Sequence, residues 1–258
     1  MDISANLQTN VNKILEHKDN SPYLCVIMPA YNEGQKIYDN LITTSDILNG
    51  FVKNYFIIAV NDGSTDNTGA EIMRASSDNS NIAYVSYEEN HGKGFAIATG
   101  VKYAAGSYIA FLDSDLELNP KMLKYFLSTL RQSDADIAIG SKMHKSSRLH
   151  YPLIRRILSV GYYLFLKLLF KLNLKDTQTG IKLFKVEVVK PICESLTTFG
   201  YAFDIELLVR AKNAGCKIIE LPVELNYSRS KRDKMRFSPA QIYRMFKDTL
   251  KIRRELKS

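Results

Sequence analysis

The chain has 258 residues, 45% hydrophobic and 24% charged, with a formal net charge of +8. That length buries a sizeable core, and the composition excludes a disordered or fibrous protein. Cys25, Cys193 and Cys216 form no paired framework and no metal-ligand spacing, the N-terminus lacks an apolar signal core, and no apolar run reaches the roughly 20 residues that span a bilayer. A reducing, cytoplasmic compartment and a soluble or peripheral protein are expected.

The first 140 residues alternate between short apolar runs and helical patterns. Strands are predicted at Leu24–Met28, Tyr55–Val60, Ile82–Tyr87, Tyr108–Leu112 and Ile137–Ile139, because these runs are β-branched or aromatic and bounded by turn residues. Helices are predicted at Glu33–Leu48, Thr68–Ala75, Gly94–Ala105 and Pro120–Leu130. That alternation predicts an α/β fold with a mostly parallel sheet covered on both faces. Beyond Gly140 a polar stretch leads to a long helix with apolar residues from 154 to 172 at helical spacing. The segment DTQTGIKLFK follows, then helices near Val186–Ser195 and Phe203–Ala214, a strand at Lys217–Leu221 and a last helix from Pro239 to Leu256. The domain reading is a polar extension over 1–21, one compact unit over 22–235 with halves 22–140 and 141–235, and a basic C-terminal helix over 236–258.

Charge is unevenly placed. Residues 229–258 hold eleven Lys and Arg against three acids, and residues 142–175 hold eight basic residues and no acid. A basic back half of this kind suits an anionic partner, and the acid-free helix suits an anionic membrane surface, although packing against the sheet also accounts for its apolar stripe. No nucleic-acid motif accompanies the basic tail, so nucleic acid is not an expected partner.

Polar clusters follow three of the strands, where open α/β sheets bind ligands. Asp113-Ser114-Asp115, with Glu117 beyond, is suited to a hard divalent cation that leaves positions open for phosphate oxygens; a solvated turn with Asp115 or Asn119 capping the next helix is equally consistent. Asp62 can accept from a base N–H, whereas Asp66 reads as a turn or cap residue. Tyr31 can flank a nucleobase, while Asn32 and Glu33 suit either a ligand or a helix start. Asn90-His91-Gly92-Lys93-Gly94 opens a small-residue helix and suits a nucleotide phosphate or base edge.

Taken in order, VIMPAYNE, VNDGSTDNT, NHGKGFAIATGV and FLDSDLELNP resemble glycosyltransferase family 2 with its GT-A fold. Gly140-Ser141-Lys142, the basic helix at Arg155-Arg156, DTQTGIK at 176–182 and FDIEL at 203–207 look like the branch that acts on polyprenyl phosphates, which includes dolichyl-phosphate glucosyl- and mannosyltransferases. The resemblance covers about Pro22 to Lys251. It implies an inverting hexosyltransferase of cell-envelope glycan synthesis, with Pro29, Ala30, Tyr31, Glu33, Asp62, Lys93, Asp113 and Ser114 at the nucleotide and Asp115 with Glu117 on Mg²⁺ or Mn²⁺. Asp113, Asp115 and Asp204 are the implied catalytic residues, and Lys142, Arg155, Arg156, Lys182 and Lys234 the implied acceptor-phosphate ligands. UDP-glucose is the favoured donor, with GDP-mannose next.

Two substitutions depart from that branch: Lys142 replaces an arginine and so loses bidentate geometry, and Arg232-Asp233-Lys234 replaces Gly-Ser-Lys. With no flanking membrane span, docking at a lipid acceptor is expected to be peripheral. An alternative acceptor is the hydroxyl of a growing glycan, for which Asp204 is the candidate base; Asp204 can equally cap the helix it begins.

Overall fold

The computed structural model describes residues 7–10, 23–147, 153–200, 202–225 and 239–256, with side chains for all of these except 153–160 and 239–244. In chain order the elements are β1 (Gln8–Thr9), β2 (Leu24–Ala30), α1 (Ile37–Asn49), β3 (Tyr55–Asp62), α2 (Thr68–Asp78), β4 (Ile82–Tyr87), α3 (Lys93–Tyr103), β5 (Tyr108–Leu112), α4 (Met122–Gln132), β6 (Ile137–Ser141), α5 (Leu153–Phe170), β7 (Ile181–Lys185), α6 (Val186–Glu194), α7 (Phe203–Asn213), β8 (Ile218–Pro222) and α8 (Pro239–Glu255).

The eight strands make one sheet in the order β1-β4-β3-β2-β5-β7-β6-β8. The pairs β2–β3, β2–β5, β3–β4 and β6–β8 are parallel, so the predicted parallel character holds. Residues 181–185 of the DTQTGIKLFK segment, predicted only as a connection, form β7, which runs antiparallel between β5 and β6. Its period was masked because four of its five residues are buried on both faces of the sheet. The strand therefore links the two halves of the chain in one sheet.

Apolar side chains leave both faces of the sheet. Leu24, Val26 and Met28 meet α1, α2 and α4 on one side, around Leu41, Ile72 and Phe126. Cys25 and Ile27 point to the other side, where α3, α5, α6, α7 and Ile252 of α8 pack. This period-two division of one strand between two cores is why the central strands read as continuous apolar runs. All three cysteines are free thiols. Burial pushes the Cys25 and Cys193 thiols up to about 12, so neither ionises near neutral pH.

The predicted helix at Glu33 begins four residues later. Asn32 adopts a left-handed backbone conformation (φ 53), and Lys36 and Ile37 donate to the Glu33 carbonyl in a turn ahead of α1.

Candidate active site

Because β2, β3 and β5 are parallel and in register (Ala30 opposite Asn61, Ile27 opposite Phe111), their C-terminal loops gather at one edge. The loops after β2 and β3 are tied together. Asn32 N–H donates to Ser64 Oγ at 3.0 Å, Thr65 N–H to Asn32 Oδ1 at 2.9 Å, and Glu33 N–H to Thr68 Oγ1 at 2.8 Å. Asp66 accepts from Thr68 N–H and Gly34 N–H, bridging the loops as well as serving the turn read from sequence. Burial pushes its carboxyl up, but these hydrogen bonds win and hold it below the usual range. Tyr31 stands exposed at 45%.

Asp62 lies deeper, 3% exposed. Its Oδ1 accepts from Tyr87 Oη–H and His91 N–H, and its Oδ2 from Asn90 Nδ2 and Gly92 N–H, all at 2.9–3.0 Å. Both oxygens are thus occupied, and the carboxylate organises the loop that leads into Lys93. Burial, then the Asp62 charge, push the Tyr87 phenol far up, so it stays a donor. Gly63 (φ +61) makes the turn between them, a left-handed conformation in which a side chain would strike the Glu89–Asn90 backbone.

Asp113 ends β5 and forms an ion pair with Lys93 at the start of α3. Asp113 N–H donates to the Gly180 carbonyl at 3.1 Å, and the missing side chain of Gly180 is what leaves room for the Asp113 carboxylate. Ser114 presents its carbonyl to Asn40 Nδ2 at 2.8 Å, fixing this loop to α1. Asp115 Oδ1 accepts from Glu117 N–H at 3.1 Å around Leu116 (φ 52), while Asn119 accepts from Lys121 N–H. Lys121 takes the N-cap position of α4 with no side-chain cap, so neither Asp115 nor Asn119 caps that helix.

In the second half, Lys182 Nζ lies 2.6 Å from Asp204 Oδ1 and donates to the Thr179 carbonyl at 2.7 Å. Both side chains are more than nine-tenths buried. The family resemblance implied Lys182 at an acceptor phosphate, and Asp204 read as a cap or a base; the fold joins them to each other. The cap expectation is corrected, since Ala202 takes the N-cap position of α7 with no side-chain cap. Lys142 pairs with Asp176, its N–H 2.9 Å and its Nζ 3.9 Å from Oδ2. Arg155 and Arg156 fall in the first turn of α5, where only the backbone is described, and Lys234 lies outside the described residues.

Two contributors were not singled out from sequence. Glu206, 1% exposed, accepts from Thr197 N–H, Thr198 N–H and Arg210 Nε, and so shapes the loop before α7. Phe199 of that loop accepts Gly94 N–H at 2.9 Å, and its ring stands edge-on to Phe95 at 5.4 Å. The DIEL pattern places two acids in a first helical turn, but which loop each meets is a tertiary fact.

The site is a strand-end crevice of a GT-A fold. The chain belongs to glycosyl transferase family 2, which it matches over residues 25–193. It is 33% identical over 218 residues to a dolichyl-phosphate beta-glucosyltransferase of Trichomonas vaginalis, covering 80% of this chain and 66% of that protein. A dolichyl-phosphate beta-glucosyltransferase of Dictyostelium discoideum is 29% identical, with 86% of this chain and 73% of that protein covered. The chain thus spans about two thirds to three quarters of the length of these relatives. Among solved structures, glucosyl-3-phosphoglycerate synthase of Mycobacterium tuberculosis in complex with UDP superposes with a TM-score of 0.66 at 18% identity, covering 95% of this chain and 84% of that one. The same enzyme with Mn²⁺, UDP and glucosyl-3-phosphoglycerate superposes with a TM-score of 0.63, covering 88% and 78%. At that identity the likeness shows the fold.

Proposed function

We propose that the protein moves a hexose, glucose from UDP-glucose in the first instance, to the phosphate of a polyprenyl or dolichyl carrier, with inversion at the anomeric carbon. The observation that carries this reading is the Lys93–Asp113 pair beside Asp115 at one mouth of the sheet, in a chain whose second half is rich in basic residues. The dolichyl-phosphate relatives support the acceptor, and GDP-mannose is the second donor to test.

In this mechanism an acceptor-phosphate oxygen bonds to the anomeric carbon as the bond to the nucleotide's β-phosphate oxygen breaks. The departing diphosphate takes the electron pair. The acceptor is already an anion, so no strong base is needed, and Asp204, buried on Lys182, suits a positioning role better than proton abstraction. Asp62 keeps the 90–92 loop in shape and so carries Lys93 toward the diphosphate. Tyr31 flanks the base, with Pro29, Ala30 and Glu33 lining the loop behind it. By the same resemblance, Lys142 with Arg155 and Arg156 would meet the acceptor phosphate, at an anionic, cytoplasmic membrane surface.

The carboxylate chemistry of Asp115 and Glu117 suits a hard divalent cation. Among the described residues no three His, Cys, Asp or Glu gather as ligands, so Asp115 and Glu117 would supply one or two carboxylates and the diphosphate the remaining oxygens, as Mg²⁺ prefers. Such an ion supplies charge neutralisation on the leaving group.

The test is release of UDP or GDP from a panel of nucleotide sugars with polyprenyl phosphate and Mn²⁺. Asp115→Asn and EDTA are each expected to lower release by about 100-fold or more. Full turnover in EDTA removes the cation from the mechanism, and release that needs a glycan but ignores polyprenyl phosphate overturns the acceptor.

A further inference from the structure

The polar side chains that end β3 are satisfied from within the fold. Asn61 is buried, its Nδ2 donating to Ser86 Oγ at 2.9 Å and its Oδ1 accepting from Ser64 N–H at 3.2 Å. Asp62 is buried more deeply, and its oxygens accept from two donors each, which fills the roughly four lone-pair positions a carboxylate has. A nucleobase N–H arriving at this strand end therefore cannot be taken by Asp62 unless the 90–92 loop first lets go of it.

Asn90 differs. The residue is exposed, yet its amide nitrogen is fixed: Nδ2 donates to the main-chain carbonyl and to Oδ2 of Asp62, each at 2.9 Å, which uses both hydrogens. Both partners can only accept, so chemistry dictates which end of the amide faces Asp62. Oδ1 is left as the remaining hydrogen-bonding atom of that amide, an acceptor on a pre-oriented arm. The main chain beneath it is held as well, because Gly63 packs its backbone against the Glu89–Asn90 peptide. His91 next to it is engaged elsewhere, with its ring against Tyr87 and Phe95 at centroid distances of 5.6 and 4.7 Å. Since Ala30 lies opposite Asn61, Tyr31 and Asp62 start adjacent loops, and Asn90, anchored on Asp62, joins the same strand-end cluster.

We propose that Asn90 is the base-reading residue of the nucleotide site: its Oδ1 accepts the ring N–H of uracil, while Asp62 sets the amide and does not touch the base. Uracil presents one donor, N3–H, between two carbonyl acceptors. Cytosine puts an acceptor at N3, which would oppose Oδ1. Guanine presents N1–H and an N2 amino group side by side, and a single oxygen leaves one of them without a partner. A lone fixed acceptor therefore selects uracil, and the pinning of Nδ2 stops the amide from turning to offer cytosine a donor. This rests on the nucleotide-sugar reading above and deepens it to the residue that decides which nucleotide enters.

Calorimetric titration of the full chain with UDP, CDP and GDP in Mn²⁺ tests it. The parent is expected to bind UDP about 10-fold or more tightly than either competitor. Asn90→Ala, a change at an exposed residue, is expected to bring the UDP-to-CDP affinity ratio to within about 2-fold of unity. Mere loosening of the 90–92 loop weakens all three nucleotides alike and leaves that ratio unmoved, so the ratio separates base reading from a structural role. Asp62→Asn is expected to weaken UDP and CDP together, with UDP still preferred. An unchanged UDP preference in Asn90→Ala, a preference turned to CDP in Asp62→Asn, or a parent that binds CDP or GDP as tightly as UDP overturns the assignment of Asn90. A parent that takes up no nucleoside diphosphate sinks the proposed function with it, whereas UDP uptake indifferent to Asn90 sinks this assignment alone.

Discussion

Lys182 and Asp204 place two opposite charges in the core at 2.6 Å, and removing either leaves the other uncompensated. Losing one partner of such a buried pair costs about 3–5 kcal/mol. Asp204→Asn is therefore expected to lower the denaturant midpoint clearly. Its turnover per folded molecule should fall by less than about 10-fold if the acceptor is a phosphate, because no proton need be taken. A loss of several orders of magnitude at full folding would instead make Asp204 the base for a hydroxyl. Lys182→Met with Asp204→Leu, which removes both charges, should recover stability relative to either single change. At this scale the strand-end placement of Asp113 and Asp115 was legible, because they directly follow the apolar run of β5. The four donors on Asp62 were not, since three of them sit 28–30 residues further along the chain.

Strands are secured at their other ends by a different carboxylate. Asp136, just before β6, holds Lys185 Nζ at 2.8 Å and Lys217 N–H at 2.9 Å, joining the end of β7 and the start of β8. Lys185 first, then the Lys217 amide, hold its carboxyl below the usual value. A depressed carboxylate contributes stability that is present above its unfolded pKa of about 3.9 and lost as pH falls through the lower folded value. Asp136→Asn is therefore expected to cost about 1–2 kcal/mol near neutral pH, with parent and variant unfolding curves converging as pH falls through that lowered value. A difference that persists unchanged at acid pH would assign the cost to packing. Most elements were readable because their periods are strong. Strand β7 was not, because Ile181–Lys185 is short, almost wholly buried and preceded by a turn-like run, and only pairing with β5 and β6 makes it a strand.

Across the molecule, the two halves meet at the crevice through loops rather than through a shared helix. Glu206 shapes the 197–200 loop, Phe199 of that loop holds Gly94, and Gly94 adjoins Lys93 and thus Asp113. A ligand bridging Lys93 and Asp115 should therefore stabilise the whole fold. With UDP and Mn²⁺ at 100 times the dissociation constant, linkage adds about 2.7 kcal/mol, which for a chain of this size is a rise in Tm of about 5–10 °C. Thermal melts should show that shift in the parent and a smaller one in Asp115→Asn. An equal shift in both would take Asp115 out of the nucleotide site.

The sequence alone determined the alternation of strands and helices, the strand-end positions of Asp62, Asp113 and Asp115, and the concentration of cations in the second half. Those properties are local, set by hydrophobic period, turn chemistry and composition. The tertiary structure decided which charges meet. It set Lys182 on Asp204 and Lys142 on Asp176, and filled both oxygens of Asp62. Ion pairs and hydrogen bonds act over a few ångströms between residues that can lie dozens of positions apart, so only the closing of the sheet and its two helical layers selects among the partners that the sequence allows.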